Sequence, residues 1–331
     1  MIPVNEKKEV QIIEETPQID VSRCIRRRWN RSSCDACAGS CEWQAVELHR
    51  GHARIDEARC TGCMNCVGSC KSGAIEDQTF LFDRSLRELA GHQWPVISCR
   101  RTPLVDAHTR ISCLGLLSGE LLLAFGLKLG KGLQLNAINC EGCPNGSIVR
   151  RLHSDIAEFK RLFRSPKLFD VSVIVDGLDL QYERKQIDRR AFFGQIGETI
   201  KSIPQTVVET LGGSDSSEYG RKAIPQVRSA LNASYEKMDR ANADELRKGR
   251  YYDVNVSSEC DGCEICVGMC PTGALIRGGS SAPKELHFDT FRCSGCGLCA
   301  EVCPKAAITL RCGEPGMAED PELVVSNDND G

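Results

Sequence analysis

The chain has 331 residues, enough for two or three domains, and its formal net charge is close to balanced at −3. It therefore lacks the excess of positive charge that is typical of nucleic-acid binders, and we predict no nucleic-acid partner. Its 21 cysteines fall mostly in C-x2-C clusters, which indicates metal-binding thiols in a reducing compartment rather than the disulfides of a secreted protein.

Neither export nor membrane insertion is predicted. The first residues lack a basic segment followed by an apolar one, so we expect no signal peptide. The longest apolar stretch, 114–129, is short for a membrane span and contains Ser118, Glu120 and Lys128. We therefore expect a cytoplasmic protein without a membrane span.

Residues 1–93, the N-terminal module, contain two runs of four cysteines. The second run has the spacing C-x2-C-x2-C-x3-C and ends in Gly73-Ala74-Ile75. This is the ligand run of proteins with two [4Fe–4S] clusters, in which the fourth cysteine of each run binds the other cluster. The first run departs from this spacing, because nine residues separate Cys24 from Cys34 where two are usual.

Crossing the fourth ligands in this way divides the eight cysteines into two sets, each predicted to hold one [4Fe–4S] cluster. Set A is Cys24, Cys34, Cys37 and Cys70. Set B is Cys41, Cys60, Cys63 and Cys66. The insertion leaves the role of Cys24 open, so a three-iron or water-ligated cluster is the alternative for set A.

The segment around the insertion is rich in positive charge. The arginines of this segment are Arg23, Arg26, Arg27, Arg28 and Arg31. We predict a solvated face that offsets the charge of the clusters, and the alternative is a docking patch for an acidic partner.

Residues 94–180, the central domain, alternate between strands and helices. Strands are predicted at 96–98, 110–112, 133–138 and 171–175, with helices at 114–129 and 147–163. This alternation indicates an α/β layer with a parallel sheet, in which ligands gather beyond the carboxyl ends of the strands. Four cysteines, the central quartet, follow predicted strand ends: Cys99, Cys113, Cys140 and Cys143.

Four such thiols suit a [2Fe–2S] cluster or a zinc ion. Residues 96–152 resemble the delta subunit of methyl-viologen-reducing hydrogenase in Cys99, Cys113-Leu114-Gly115, the helix end at Gly130 and Gly132, and Asn139-Cys140-x2-Cys143. The resemblance implies a [2Fe–2S] cluster held by the quartet, in a protein that passes electrons to heterodisulfide reductase.

Residues 181–250 are charged and free of cysteine, and we predict a helical spacer. Helices are expected at 188–203 and 223–250, the second interrupted at Pro225, with a flexible break at 212–217. We expect the spacer to pack against the two terminal modules, and a partner-binding role is the alternative.

Residues 251–312, the C-terminal module, carry two complete runs, each followed by a proline. Crossing the fourth ligands again gives two sets. Set C is Cys270, Cys293, Cys296 and Cys299. Set D is Cys260, Cys263, Cys266 and Cys303. Zinc is the alternative metal, but it closes a site with four ligands from two pairs rather than with two runs of four.

Residues 252–311 resemble the bacterial two-cluster [4Fe–4S] ferredoxins, and Cys312 is predicted to be a spare thiol.

The complete prediction is an α+β ferredoxin-like module at each end, a central α/β domain with a parallel sheet, a helical spacer, and an acidic, disordered tail at 313–331. The cofactors would be four [4Fe–4S] clusters and one [2Fe–2S] cluster. No G-x-G-x-x-G motif or P-loop is present, and the six histidines form no metal pattern.

Full ligand sets without substrate machinery indicate an electron-transfer subunit of an oxidoreductase complex rather than a catalyst. Its protein partners would be a redox enzyme, such as a hydrogenase or formate dehydrogenase, and an acceptor. The alternatives are a thiol or disulfide reductase that uses the central quartet and a zinc-stapled interaction scaffold.

Overall fold

The computed structural model describes residues 16–101, 106–163, 169–183, 222–236, 238–278, 284–312 and 322–327. Within these ranges no helix is both long enough and apolar enough to cross a membrane. The described residues form two small modules with the same strand arrangement and a central domain built on a parallel sheet. A pair of helices packs against the central domain and the C-terminal module.

In the N-terminal module each cysteine run is followed by a short strand. Its elements are β1 (Gln18–Ile19), α1 (Ile25–Arg28), α2 (Ala36–Gly39), β2 (Val46–His49), β3 (His52–Ile55), α3 (Asn65–Ser69) and β4 (Ile75–Glu76). The first strand pairs antiparallel with the last, and the two inner strands pair with each other. The two strand pairs enclose a small apolar core that includes Cys37 and Cys66.

The central domain has a four-stranded sheet whose strands all run parallel. Its elements are α4 (Phe82–Ala90), β5 (Val96–Cys99), β6 (Thr109–Ile111), α5 (Gly119–Leu129), β7 (Leu133–Asn136), α6 (Ile148–Leu162) and β8 (Val171–Ile174). The order across the sheet is β6-β5-β7-β8. The carboxyl ends of the strands therefore meet at one edge of the sheet, where the cysteines of the quartet lie.

Helix α5 begins later than the apolar pattern predicts. Residues Leu114–Leu116 form a separate 3-10 turn, and Ser118 then caps the helix by accepting a hydrogen bond from the Leu121 N–H (3.3 Å). The helix ends at Gly130, whose φ of 59° is left-handed. Five consecutive side chains from Leu121 to Phe125 are buried, because packing surrounds this helix on all sides.

Two helices of the spacer are described, α7 (Gln226–Tyr235) and α8 (Arg240–Arg250), and Pro225 stands at the start of α7 rather than interrupting it. The spacer packs against the central domain as well as the C-terminal module. The Ser234 hydroxyl donates to the Ala124 carbonyl (3.3 Å), and the Asn232 side-chain amide donates to the Phe291 carbonyl (2.8 Å). One continuous core joins all three parts. The predicted helix at 188–203 lies outside the described residues.

The C-terminal module repeats the arrangement of the N-terminal one. Its elements are β9 (Tyr252–Val256), α9 (Ile265–Met269), β10 (Leu275–Arg277), β11 (Lys284–Phe288), α10 (Leu298–Glu301) and β12 (Ile308–Cys312). Strand β9 pairs with β12, and β10 pairs with β11, all antiparallel. The prediction of a disordered tail is wrong for part of it, because β13 (Glu322–Asn327) adds to the edge of β11. An edge strand leaves backbone donors and acceptors unpaired, and β13 satisfies those of β11.

The insertion after Cys24 docks the N-terminal module onto the C-terminal one. Ile25 packs with Leu298 and Val302 in a small buried cluster. The Ser32 hydroxyl and the Ser33 N–H both donate to the carboxylate of Glu301, at 2.7 and 2.5 Å. The extra residues therefore form an interface between modules.

The same interface corrects the prediction of a fully solvated arginine face. Arg23 and Arg28 are only 6% and 3% exposed. Arg23 forms an ion pair with Glu76 (2.6 Å), and Arg28 donates to the Ser22 carbonyl (3.0 Å). An arginine buried in this way requires hydrogen-bonding partners, which here come from the N-terminal module itself and, for Arg28, also from the Met269 carbonyl across the interface (3.4 Å).

Candidate metal centres

The fourth cysteine of every run accepts a hydrogen bond from the backbone N–H four residues later. The donors are Ala45 to Cys41 (3.3 Å), Ala74 to Cys70 (3.2 Å), Ala274 to Cys270 (3.3 Å) and Ala307 to Cys303 (3.3 Å). Such bonds hold a sulfur in place and favour its thiolate form, and hydrogen bonds to sulfur tune a cluster. The irregular first run therefore ends in the same local structure as the three regular ones.

A left-handed residue immediately before the donor produces this turn in all four runs. The residues are Gln44, Gly73, Gly273 and Ala306, with φ values of 49°, 63°, 71° and 49°. Two of them are not glycine, which is uncommon in this region of φ. A glycine marks this turn in the sequence after Cys70 and Cys270, whereas no glycine marks the equivalent turns after Cys41 and Cys303.

The structure brings the four cysteines of set D together, and likewise those of set B. A cavity of about 30 Å³ is lined by all four cysteines of set D, and one of about 10 Å³ by all four of set B. A larger cavity of about 570 Å³ is lined by the four cysteines of set A together with Cys296 of set C. In all three cases the cysteine from the other run lies with its predicted set.

Electrostatic interactions among the thiols give the same grouping for sets A and C. Burial, together with negative charge at the other three cysteines of set A, raises the pKa of the Cys37 thiol to about 12. Burial, together with negative charge at Cys296 and Cys270, raises the pKa of Cys299 to about 12. Cys24 therefore lies with set A despite the insertion, and Cys270 lies with set C.

The central quartet also converges. Cys99 ends β5, and the other three follow β6 and β7. Burial, together with negative charge at Cys99 and Cys143, raises the pKa of Cys140 to about 11. Burial raises the pKa of Cys113 to about 12, with a contribution from Cys99. A thiol with a raised pKa is a weak nucleophile, whereas the reactive thiol of a reductase needs a lowered pKa.

Electrostatic interactions between cysteines link the five groups in a series. Cys63 of set B interacts electrostatically with Cys113 of the quartet, and Cys37 of set A with Cys66 of set B. Cys34 of set A interacts with Cys296 of set C across the module interface. Cys266 of set D interacts with Cys299 of set C. The order is therefore quartet, B, A, C, D.

The contact between set B and the quartet is especially close. A Cβ atom on Gly115 would lie 2.0 Å from the backbone oxygen of Cys63, so only glycine fits there. The buried side chain of Asn145 accepts a hydrogen bond from the Thr61 hydroxyl (2.7 Å) and donates one to the Thr61 carbonyl (3.2 Å). These contacts hold the loop that carries Cys60 and Cys63 against the central domain.

The donor sets fit iron–sulfur clusters. Buried thiolates that crowd together repel each other and lose hydration, so their ionised form requires cations between them, which the irons of a cluster supply. Across the part of the chain that the structure describes, no three His, Cys, Asp or Glu side chains converge on a position for a single metal ion. A cluster does not require such convergence, because its four thiolates are distributed over two or four irons. Cys312 is exposed and belongs to none of the five groups.

Comparisons with protein families match two stretches of the chain. Residues 241–309 match the model of a 4Fe-4S dicluster domain, and residues 52–75 match that of a 4Fe-4S binding domain. No curated protein and no solved structure matches the chain. Two ferredoxin-type 4Fe-4S domains are thus supported, one near each end. The resemblance of the central domain to the hydrogenase delta subunit is not confirmed.

Proposed function

We propose that this chain is an electron-transfer protein that holds four [4Fe–4S] clusters and one [2Fe–2S] cluster as a single relay between a redox enzyme and an acceptor. The observation that carries the proposal is the series of cysteine groups, in which neighbouring groups interact electrostatically: the quartet with set B, set B with set A, set A with set C, and set C with set D. A catalyst would need one site set apart for substrate, whereas a relay needs an unbroken series of neighbours.

The residues of the chain have distinct tasks in this function. Each [4Fe–4S] or [2Fe–2S] cluster, when bound, accepts and releases one electron at a time. The cysteines hold the clusters, and the N–H groups of Ala45, Ala74, Ala274 and Ala307 donate to ligand sulfurs and offset their charge. Burial lowers the pKa of Arg28, and negative charge at Cys270 and Cys296 opposes that shift, so this side chain supplies positive charge at the module interface.

Metal analysis tests the proposal directly. Protein prepared without oxygen is expected to contain about 18 iron atoms per chain, with acid-labile sulfide in a matching amount. A value of about 8 would mean that only one of the terminal modules is loaded and would contradict the relay.

The crossed arrangement of ligands predicts which cluster each cysteine serves. Replacing Cys270 with serine should alter the same EPR signal and the same reduction potential as replacing Cys299, because both belong to set C. The matched comparison is Cys266→Ser, which comes from the same run as Cys270 but belongs to set D. If Cys270→Ser instead reproduces the changes of Cys266→Ser, then Cys270 binds the cluster of its own run and the ligands are not crossed.

Replacing Cys140 with alanine in the full chain tests the central quartet. We expect the loss of about two iron atoms and of one binuclear-type EPR signal in the reduced protein, because a [2Fe–2S] centre is paramagnetic when reduced by one electron. The four [4Fe–4S] signals should persist. Recovery of one zinc ion per chain from the unaltered protein, with no binuclear signal, would make the central domain a structural brace.

A further inference from the structure

A series of clusters has two ends, and in this structure the two ends differ in how exposed their cysteine ligands are. At one end lies set D, and at the other lies the central quartet. Of the twenty cysteines in the five groups, Cys263 of set D alone is exposed. Electron transfer between proteins requires close approach of the two cofactors, so an exposed ligand marks the place where a partner can come nearest.

Apolar side chains surround this exposed ligand. Ile265, two residues after Cys263, is 42% exposed, and Pro304, directly after the fourth ligand of the set, is also exposed. Both residues line the set D cavity. Scattered exposed apolar residues are ordinary, but apolar residues grouped around a functional atom indicate a surface that a partner covers.

The charge around this patch is predominantly negative. Asp261, Glu264 and Glu285 line the cavity, whereas Lys305 is the only basic residue of its lining. Glu264 is neutralised by an ion pair with Arg277. The exposed Glu259 stands immediately before the first ligand of the set. Near the quartet the charge is mixed, since Arg100 and Arg101 follow Cys99 and the exposed Glu141 stands between Cys140 and Cys143.

We propose that the surface around Cys263, formed by Cys263, Ile265 and Pro304 with Glu259 and Asp261 at its rim, docks a redox protein whose own cofactor lies beneath an apolar patch rimmed by lysine or arginine. The proposal rests on the relay function, and it adds that a basic partner exchanges electrons with the relay at the set D end. In each encounter one electron leaves the reduced chain and enters the cofactor of the partner.

The test uses the complete cluster-loaded chain, reduced with dithionite and freed of excess reductant. A basic c-type cytochrome serves as the probe, and its ferric haem takes up one electron per encounter. Stopped-flow absorbance of the haem gives the rate. A small neutral acceptor, measured in parallel, reports whether the clusters can release their electrons at all.

Two substitutions of opposite sign should change this rate in opposite directions. Glu259→Lys should slow reduction of the cytochrome and Lys305→Glu should accelerate it, each by about tenfold at low ionic strength, since steering by charge can change association rates by that much. Both effects should fade in high salt. Asp261 is left unchanged because its carboxylate accepts a hydrogen bond from the Cys263 N–H (3.2 Å).

Arg150→Glu is the matched control. It changes the net charge as much as Lys305→Glu does, but its residue is exposed on α6 of the central domain, outside the C-terminal module. We expect it to leave the cytochrome rate unchanged. An equal acceleration by Arg150→Glu and Lys305→Glu would mean that only the total charge matters, and would overturn the docking surface. Failure of the small acceptor to oxidise the unaltered chain would instead overturn the relay itself.

Discussion

Replacing Arg228 with methionine is expected to destabilise the protein by about 3 kcal/mol, because breaking a buried ion pair leaves the remaining charge without its partner. The side chain of Arg228 is completely buried and pairs with Glu120 of α5. Its guanidinium also donates to the Arg250 carbonyl (2.9 Å) and lies 5.0 Å from the ring centre of Tyr251. This one side chain therefore joins the spacer to the central domain and to the start of the C-terminal module.

The measurement is thermal unfolding of the cluster-loaded protein without oxygen. Arg150→Met, at an exposed position, is the control for loss of a positive charge alone. The double variant Arg228→Met with Glu120→Gln should recover part of the loss, since no carboxylate is then left without a partner. If the single and double variants unfold at the same temperature, the ion pair does not contribute to stability as proposed.

Replacing Gly115 with alanine is expected to loosen the contact between set B and the central quartet. The added Cβ would lie 2.0 Å from the Cys63 backbone oxygen and 2.9 Å from the Asn65 side-chain oxygen, so the backbone must move. Overpacking of this kind costs about 1–3 kcal/mol. Because electron transfer weakens steeply with distance, the passage of electrons between the quartet and set B should slow as well.

The second readout is the rate at which electrons redistribute among the clusters after a short reducing pulse. Gly268→Ala is the matched control, because a Cβ at Gly268 would meet nothing within 4 Å. We expect that control to leave both stability and electron redistribution unchanged. Unchanged redistribution in Gly115→Ala, together with unchanged stability, would show that the two loops are not in close contact.

In the three regular runs local spacing predicts the grouping of the cysteines, whereas in the first run nine residues separate Cys24 from Cys34. Once a run has three closely spaced thiols, a short loop can bring only those three together, and the fourth is left for the neighbouring set. The family comparisons support a 4Fe-4S domain near each end. The roles of individual cysteines as ligands stay predictions, as does the [2Fe–2S] cluster of the central quartet.

The role of the insertion could not be predicted, since its partners are remote in the sequence. Arg28 approaches Met269, and Ser32 binds Glu301. A run of arginines considered alone resembles a solvated surface, because nothing local shows that another module will cover it. The spacer presents the same difficulty, as Arg228 and Glu120 become partners only after α5 and α7 have packed together.

The strand in the tail was missed for a related reason. Residues 322–327 pair with β11, and an acidic composition gives no indication that an unpaired strand edge is available elsewhere. Strand pairing depends on a partner that only the tertiary structure supplies, whereas composition reflects the average tendency of a segment.

The docking of α1 on the C-terminal module also bears on kinetics. Two free ferredoxins exchange electrons only after diffusing together, so their exchange depends on concentration and includes many unproductive orientations. Here Ile25 packs with Leu298 and Val302 within one chain, which places set A beside set C permanently. Covalent connection replaces the bulk concentration with an effective one. Electron exchange between the two modules should therefore be first order and independent of how dilute the protein is.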